Sequence, residues 1–191
     1  ARVLPESRTP DIQFHFGTLS ADMAGAKPHD FPGFTMSVCQ LRPTSRGTVT
    51  IKSRDVAEPP AMQPNYLSTE FDCATTVAAI KFARRLAATP AMAPYVAAEY
   101  RPGADTRSDA EILEFARNTG ATIFHPVGTC KMGSDGAAVV DARLKVHGVA
   151  GLRVVDASIM PTLVSGNTHW PAVMIAEKAA DLILQDAASS Q

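Results

Sequence analysis

Two segments of this chain, far apart in sequence, hold side chains able to handle protons. The first is Phe124-His125-Pro126-Val127-Gly128-Thr129-Cys130-Lys131-Met132-Gly133. An imidazole changes charge near neutral pH without large tuning, which makes His125 a candidate general base. A residue before proline is pushed toward extended backbone, and Gly128 and Gly133 let the chain turn closely past something bulky. The segment also fits a plain core histidine with a satisfied hydrogen bond. The second segment is Val154-Val155-Asp156-Ala157-Ser158-Ile159-Met160-Pro161, continuing to Ser165-Gly166-Asn167-Thr168-His169-Trp170-Pro171. Asp156 closes an apolar run, and the small residues after it let backbone amides approach a ligand. A helix is expected to start near Pro171, because proline suits the first turn. Its unpaired N–H groups favour an anion or the electron-rich side of a cofactor. The plain alternative makes Asn167 or Thr168 a helix N-cap and nothing more.

Other chemistries fit these residues less well. A hydrolytic triad of Ser158 or Ser165 with His125 and Asp156 lacks the Gly-x-Ser-x-Gly elbow. A metal site from His125, Cys130 and His147 lacks Cys-x-x-Cys or His-Glu-x-x-His spacing, and no metal is expected.

The elements that must position these residues can be read from periodicity. Ile12 to Phe16 and Phe34 to Leu41 are strand-like, with a Gly-, Pro- and His-rich segment between them. Thr48 to Lys52 alternates strictly and predicts a half-buried strand. Pro59, Pro60 and Pro64 mark an irregular connection. From about Glu70 the period changes: Cys73, Val77, Ile80, Ala83 and Leu86 predict one apolar helix face. Pro90 ends that helix, and Ala91 to Glu99 reads as a second, short one. Ser108-Asp109-Ala110-Glu111 has the capping-box pattern, and Gly120 reads as a left-handed terminator of the helix that follows. Thr122 to Phe124 reads as a strand leading into His125. Arg143 to Val146 and Leu152 to Val155 are strand-like runs joined by a Gly-bearing turn. A final helix and the polar tail Ala187 to Gln191 end the chain. This pattern predicts an α+β arrangement with a mainly antiparallel sheet.

Composition narrows the partners. The 191 residues include 18 basic and 19 acidic side chains, for a formal charge of -1, so no net field favours nucleic acid or an anionic membrane. Cys39, Cys73 and Cys130 are odd in number and far apart, which predicts a reducing, cytoplasmic setting rather than a disulfide framework. No apolar run is long enough to span a bilayer, and the opening Ala-Arg-Val-Leu-Pro-Glu shows no secretory leader pattern.

Taken together, His-Pro-Val-Gly-Thr-Cys-Lys-Met-Gly, Leu-Arg-Val-Val-Asp-Ala-Ser-Ile-Met-Pro and Ser-Gly-Asn-Thr resemble the C-terminal half of the glucose–methanol–choline family of FAD-dependent oxidoreductases. Gln40 to Gly47 and Ala176 to Ile183 are similar to that family as well, so the resemblance runs from about Ile12 to Leu184. It implies a substrate-binding domain over residues 1–150, with helices on one side of the sheet. Residues 151–191 would then add a strand, loop and helix that complete the FAD-binding domain. By the same resemblance His125 is the catalytic histidine, taking the hydroxyl proton of a primary alcohol as hydride moves to flavin N5. Asn167 falls where choline and alcohol dehydrogenases carry Asn. Val127, Asp156, Ala157, Thr168, His169 and Pro171 would lie along the flavin. The chain departs from the pattern at His169-Trp170, where many choline and alcohol members have Asn-Ala.

A dinucleotide site needs a Gly-x-Gly-x-x-Gly turn, and none of the 12 glycines forms one. The expectation is therefore a fragment whose partners are a missing N-terminal FAD-binding half and a small alcohol. A non-catalytic binding or structural module on this fold is the alternative.

Overall fold

The computed structural model describes residues 1–23 and 25–189, so Ser190 and Gln191 of the polar tail lie outside the described residues. The fold is α+β, with three α-helices and two two-stranded antiparallel sheets among the described residues. The chain forms two compact units: Ala1–Gly47 with Pro64–Thr122, and Thr48–Gln63 with Ile123–Gln191.

In the first unit, β1 (Ile12–Gly17) pairs antiparallel with β2 (Thr35–Gln40), Ile12 opposite Gln40 and Gly17 opposite Thr35. Helix α1 (Glu70–Ala87) packs on β2, and Phe82 meets Phe14 of β1 at 5.8 Å between ring centroids. The buried face of α1 is not the expected apolar stripe: Asp72, Thr75, Val77 and Ala79 are buried, while Leu86 is exposed. The polar members are satisfied internally. Asp72 accepts from the Thr44 amide at 2.8 Å, the Thr44 hydroxyl at 3.0 Å and the Ser45 amide at 2.8 Å, and Thr75 donates to the Phe71 carbonyl. Gln40 donates to the Asp72 carbonyl and to Thr76. Burial alone would raise the Asp72 pKa, but the hydrogen bonds from Ser45 and Thr44 outweigh it and hold the carboxyl below its usual range.

Helix α2 (Asp109–Thr119) carries the expected capping box. Glu111 accepts from the Ser108 amide at 2.8 Å and Ser108 Oγ accepts from the Glu111 amide at 3.2 Å. Gly120 is extended, not left-handed, at φ -63 and ψ 143. A Cβ there would sit 2.6 Å from the Ala116 carbonyl oxygen, so close approach rather than chirality calls for glycine. The expected helix Ala91 to Glu99 shrinks to a 3₁₀ turn at Ala93–Tyr95. Arg84 orders the chain beyond it, bonding Glu99 at 2.9 Å and the carbonyls of Thr106 and Gly103.

In the second unit, β3 (Thr48–Thr50) pairs with β4 (Ala61–Gln63), the latter within the stretch expected to be irregular. All three residues of β3 are exposed rather than half-buried. The runs at 143–146 and 152–155 do not become strands. They meet through the single bridge Lys145–Arg153 and two flanking backbone bonds, too short a ladder to count as a sheet. Thr122 to Phe124 is not a strand either, since Phe124 is left-handed at φ 60. Val140, Leu144, Ile159 and Met160 join Ile175, Ala179 and Leu182 of helix α3 (His169–Ala188) in one core. Each large side chain so buried contributes about 1.5–3 kcal/mol.

Candidate functional site

That core sets the loops around His125. Gly128 is left-handed at φ 88, and a Cβ there would press to 3.3 Å on the Met160 carbonyl oxygen. Just beyond it, the Cys130 amide donates to the Ser158 carbonyl at 3.0 Å and the Met132 amide to Ile159 at 2.8 Å. The histidine loop is thereby laced to the 3₁₀ turn Ala157–Ile159, whose Ile159 is anchored in the core. Asp156 caps that turn, accepting from the Ser158 amide at 2.7 Å.

The chain then reaches α3, which begins at His169, two residues before the expected Pro171. Thr168 is its N-cap residue and is 9% exposed, yet its side chain makes no capping bond. Pro171 occupies the third helical position, whose amide a capping hydroxyl ordinarily meets, and proline has no N–H to offer. The Thr168 hydroxyl turns instead to His125, with Oγ1 2.9 Å from Nδ1. The other ring nitrogen, Nε2, lies 2.9 Å from Asn167 Nδ2. Two consecutive residues thus grip both nitrogens of a half-buried imidazole from another loop. Phe124, just before the histidine, is 81% exposed and left-handed, a conformation that costs about 1–3 kcal/mol in a bulky residue.

The structure brings His125, Asn167 and Thr168 into direct contact. Val127 and Ala157 are half-buried against the core beside them, and Asp156 is exposed with one carboxylate oxygen engaged at Ser158. His169 is exposed and stands edge-on to Trp170 at 5.0 Å, and Pro171 is half-buried in the first turn of α3. The hydrolytic alternative fails on geometry: both His125 nitrogens face Asn167 and Thr168, and neither reaches Asp156, Ser158 or Ser165. His147 of the metal alternative bonds the Gly133 carbonyl at 3.0 Å. The bond between Thr168 and His125 has no signature in the sequence. Thr168 by itself fits a helix cap or, by the resemblance, a flavin neighbour, and nothing in linear spacing signals a partner 43 residues away.

Three comparisons bear on this arrangement. A family model for the C-terminal part of GMC oxidoreductases matches residues 43–176. The chain is 45% identical over 181 residues to an alcohol dehydrogenase [acceptor] of Pseudomonas putida, covering 95% of this chain and 33% of that protein. It is 44% identical over 174 residues to an oxygen-dependent choline dehydrogenase of Proteus mirabilis, covering 91% and 31%. Among solved structures, a variant of the formate oxidase of Aspergillus oryzae RIB40, studied for FAD modification, superposes with a TM-score of 0.85 at 27% identity over 94% of this chain and 32% of that one. The chain spans about a third of the length of these relatives. Matched over most of its length by the family model, with its histidine and carboxamide side by side, this chain belongs to the GMC oxidoreductase family.

Proposed function

We propose that the chain is the substrate-side part of an FAD-dependent enzyme that oxidises a primary alcohol, choline-like or simple, to an aldehyde. The observation that carries this reading is the 2.9 Å contact between His125 Nε2 and Asn167 Nδ2, two polar groups from distant segments meeting at the surface of one core. His125 Nε2 takes the hydroxyl proton of the alcohol. Negative charge on that oxygen then drives hydride from the adjacent carbon. Asn167 cannot titrate, and its amide N–H donates to the developing alkoxide. The entering alcohol replaces the resting contact between the two residues. FAD, when bound, supplies the hydride acceptor at flavin N5.

The residues present fit such a cofactor. The first-turn amides of α3 lack intrahelical acceptors and are left uncapped by Thr168, which suits the electron-rich edge of a flavin. Asp156, Ala157, Val127, Thr168, His169 and Pro171 are the residues we place along it. Residues 1–150 form the substrate-binding domain, with helices on one side of its antiparallel sheet, and 151–191 complete an FAD-binding domain supplied by an N-terminal partner half. Resemblance to the choline and alcohol dehydrogenases supports the substrate class, and the three unpaired cysteines support a cytoplasmic setting. No helix among the described residues is long and apolar enough to cross a membrane.

The test is flavin reduction by alcohols, without oxygen, in the full-length protein carrying His125→Ala. A loss of about 10²–10⁴-fold is expected for a general base. A rate equal to wild type removes His125 from the mechanism.

A further inference from the structure

We propose that Thr168 is a positioning residue that fixes the protonation tautomer of His125; the proposal rests on the reading of His125 as a base. Three observations in the second unit carry it. Thr168 is buried at the N-cap of α3 and makes no capping bond, because the third helical position, whose amide Thr69 and Ser108 meet in the other helices, is here Pro171 with no N–H, which leaves the hydroxyl for another partner. Its backbone is helical, at φ -89 and ψ -6, rather than in the extended conformation usual for a capping residue. Its Oγ1 lies 2.9 Å from His125 Nδ1.

The opposite side of the ring decides the direction of that bond. Asn167 presents its Nδ2 to His125 Nε2 at 2.9 Å, and an amide NH2 group only donates. Nε2 must therefore offer its lone pair. In a neutral imidazole the proton is then on Nδ1, and Thr168 Oγ1 accepts it. The result is a ring with its basic nitrogen on the side of exposed Asn167 and its N–H turned to buried Thr168. A buried hydroxyl on Nδ1 thus does for this histidine what a carboxylate or carbonyl does in other general bases: it selects the tautomer and holds the ring plane. Without an acceptor at Nδ1, the ring is free to rotate or to carry its proton on Nε2. Either change withdraws the base from the alcohol.

The experiment compares Thr168→Val, which keeps the shape and removes the hydroxyl, with Thr168→Ser, which keeps the hydroxyl, in the full-length flavin-loaded protein. Anaerobic flavin reduction by the alcohol is expected to fall about 10–100-fold in the Val variant, with apparent alcohol affinity nearly unchanged, and to stay within about threefold of wild type in the Ser variant. The ¹⁵N resonances of labelled histidine, assigned to His125 as those lost in His125→Ala, are expected to show Nδ1 protonated and Nε2 bare in wild type and Ser, and mixed forms in Val. A wild-type rate in Val, equal damage in Val and Ser, or a proton on Nε2 in the wild type overturns the assignment. Unchanged flavin reduction in His125→Ala would instead reject the catalytic reading, while the histidine resonances would still decide the tautomer. Thermal unfolding of each variant separates loss of the hydrogen bond from loss of α3.

Discussion

At the scale of single residues, the site depends on which atoms face the imidazole. His125 and Asn167 stand out in the sequence through the resemblance of His125-Pro126-Val127-Gly128 and Ser165-Gly166-Asn167-Thr168 to the family's motifs, since residue type alone equally fits a core histidine and a helix N-cap. That the two share a site follows from the same resemblance and not from spacing, since 42 residues separate them and only the folded loops close that gap. If Asn167 donates to the alkoxide, Asn167→Ala should slow alcohol-dependent flavin reduction by about 10²–10³-fold, as loss of an oxyanion donor does elsewhere. Stopped-flow absorbance of the full-length protein measures this. A change below about threefold would leave Asn167 as a neighbour without a role in the chemistry.

At the scale of elements, two carboxylates act as fasteners. Asp72, in the first turn of α1, ties that helix to the loop after β2 through Thr44 and Ser45. Gln40, Thr44 and Ser45 together hold the entry to α1. Replacing Asp72 by Ala strands buried donors, and about 2–4 kcal/mol of stability should be lost by urea unfolding. A smaller effect than from Asp109→Ala, an exposed residue, would contradict the buried network. The second fastener is Asp186 near the end of α3, which pairs with Arg143, Lys145 and Arg153, while Arg143 also donates to the Leu182 carbonyl. The Lys145 ammonium above all, with Arg143, pulls the Asp186 carboxyl down from 3.8 to about 2. A pKa depressed in the folded state stabilises above the unfolded value and loses that contribution as pH falls through the folded one. Helix content of α3 should therefore decline between about pH 4 and pH 2, and Asp186→Asn should remove that acid transition while weakening the helix end at neutral pH. Hydrogen exchange of amides 182–188 reads it directly. An unaltered acid transition in the variant would assign the fall to other carboxylates.

At the scale of the whole molecule, the chain covers about a third of its relatives and contains no Gly-x-Gly-x-x-Gly turn. A cofactor held mainly by another part of a protein should bind this part poorly. The 191-residue chain purified by itself is expected to be colourless and without turnover, whereas the full-length protein should be yellow. Absorbance near the flavin bands, with circular dichroism to verify that the helices are present, is the measurement. A yellow, alcohol-oxidising preparation of the chain alone would reject the division of labour proposed for it.

The amino-acid order alone determined what depends on near neighbours. It specified the capping box at Ser108 and the long helices from about Glu70 and near Pro171, because capping and periodicity are set within a few residues, while the candidate pair His125 and Asn167 came from the motifs' resemblance to a known family. Tertiary structure decided what depends on distant partners. The runs at 143–146 and 152–155 meet through one bridge only, α1 buries Asp72 and Thr75 rather than a wholly apolar stripe, and the Thr168 hydroxyl bonds an imidazole rather than its own helix. A hydrogen bond forms with whichever group lies within about 3 Å, and that distance is fixed by packing rather than by position along the chain.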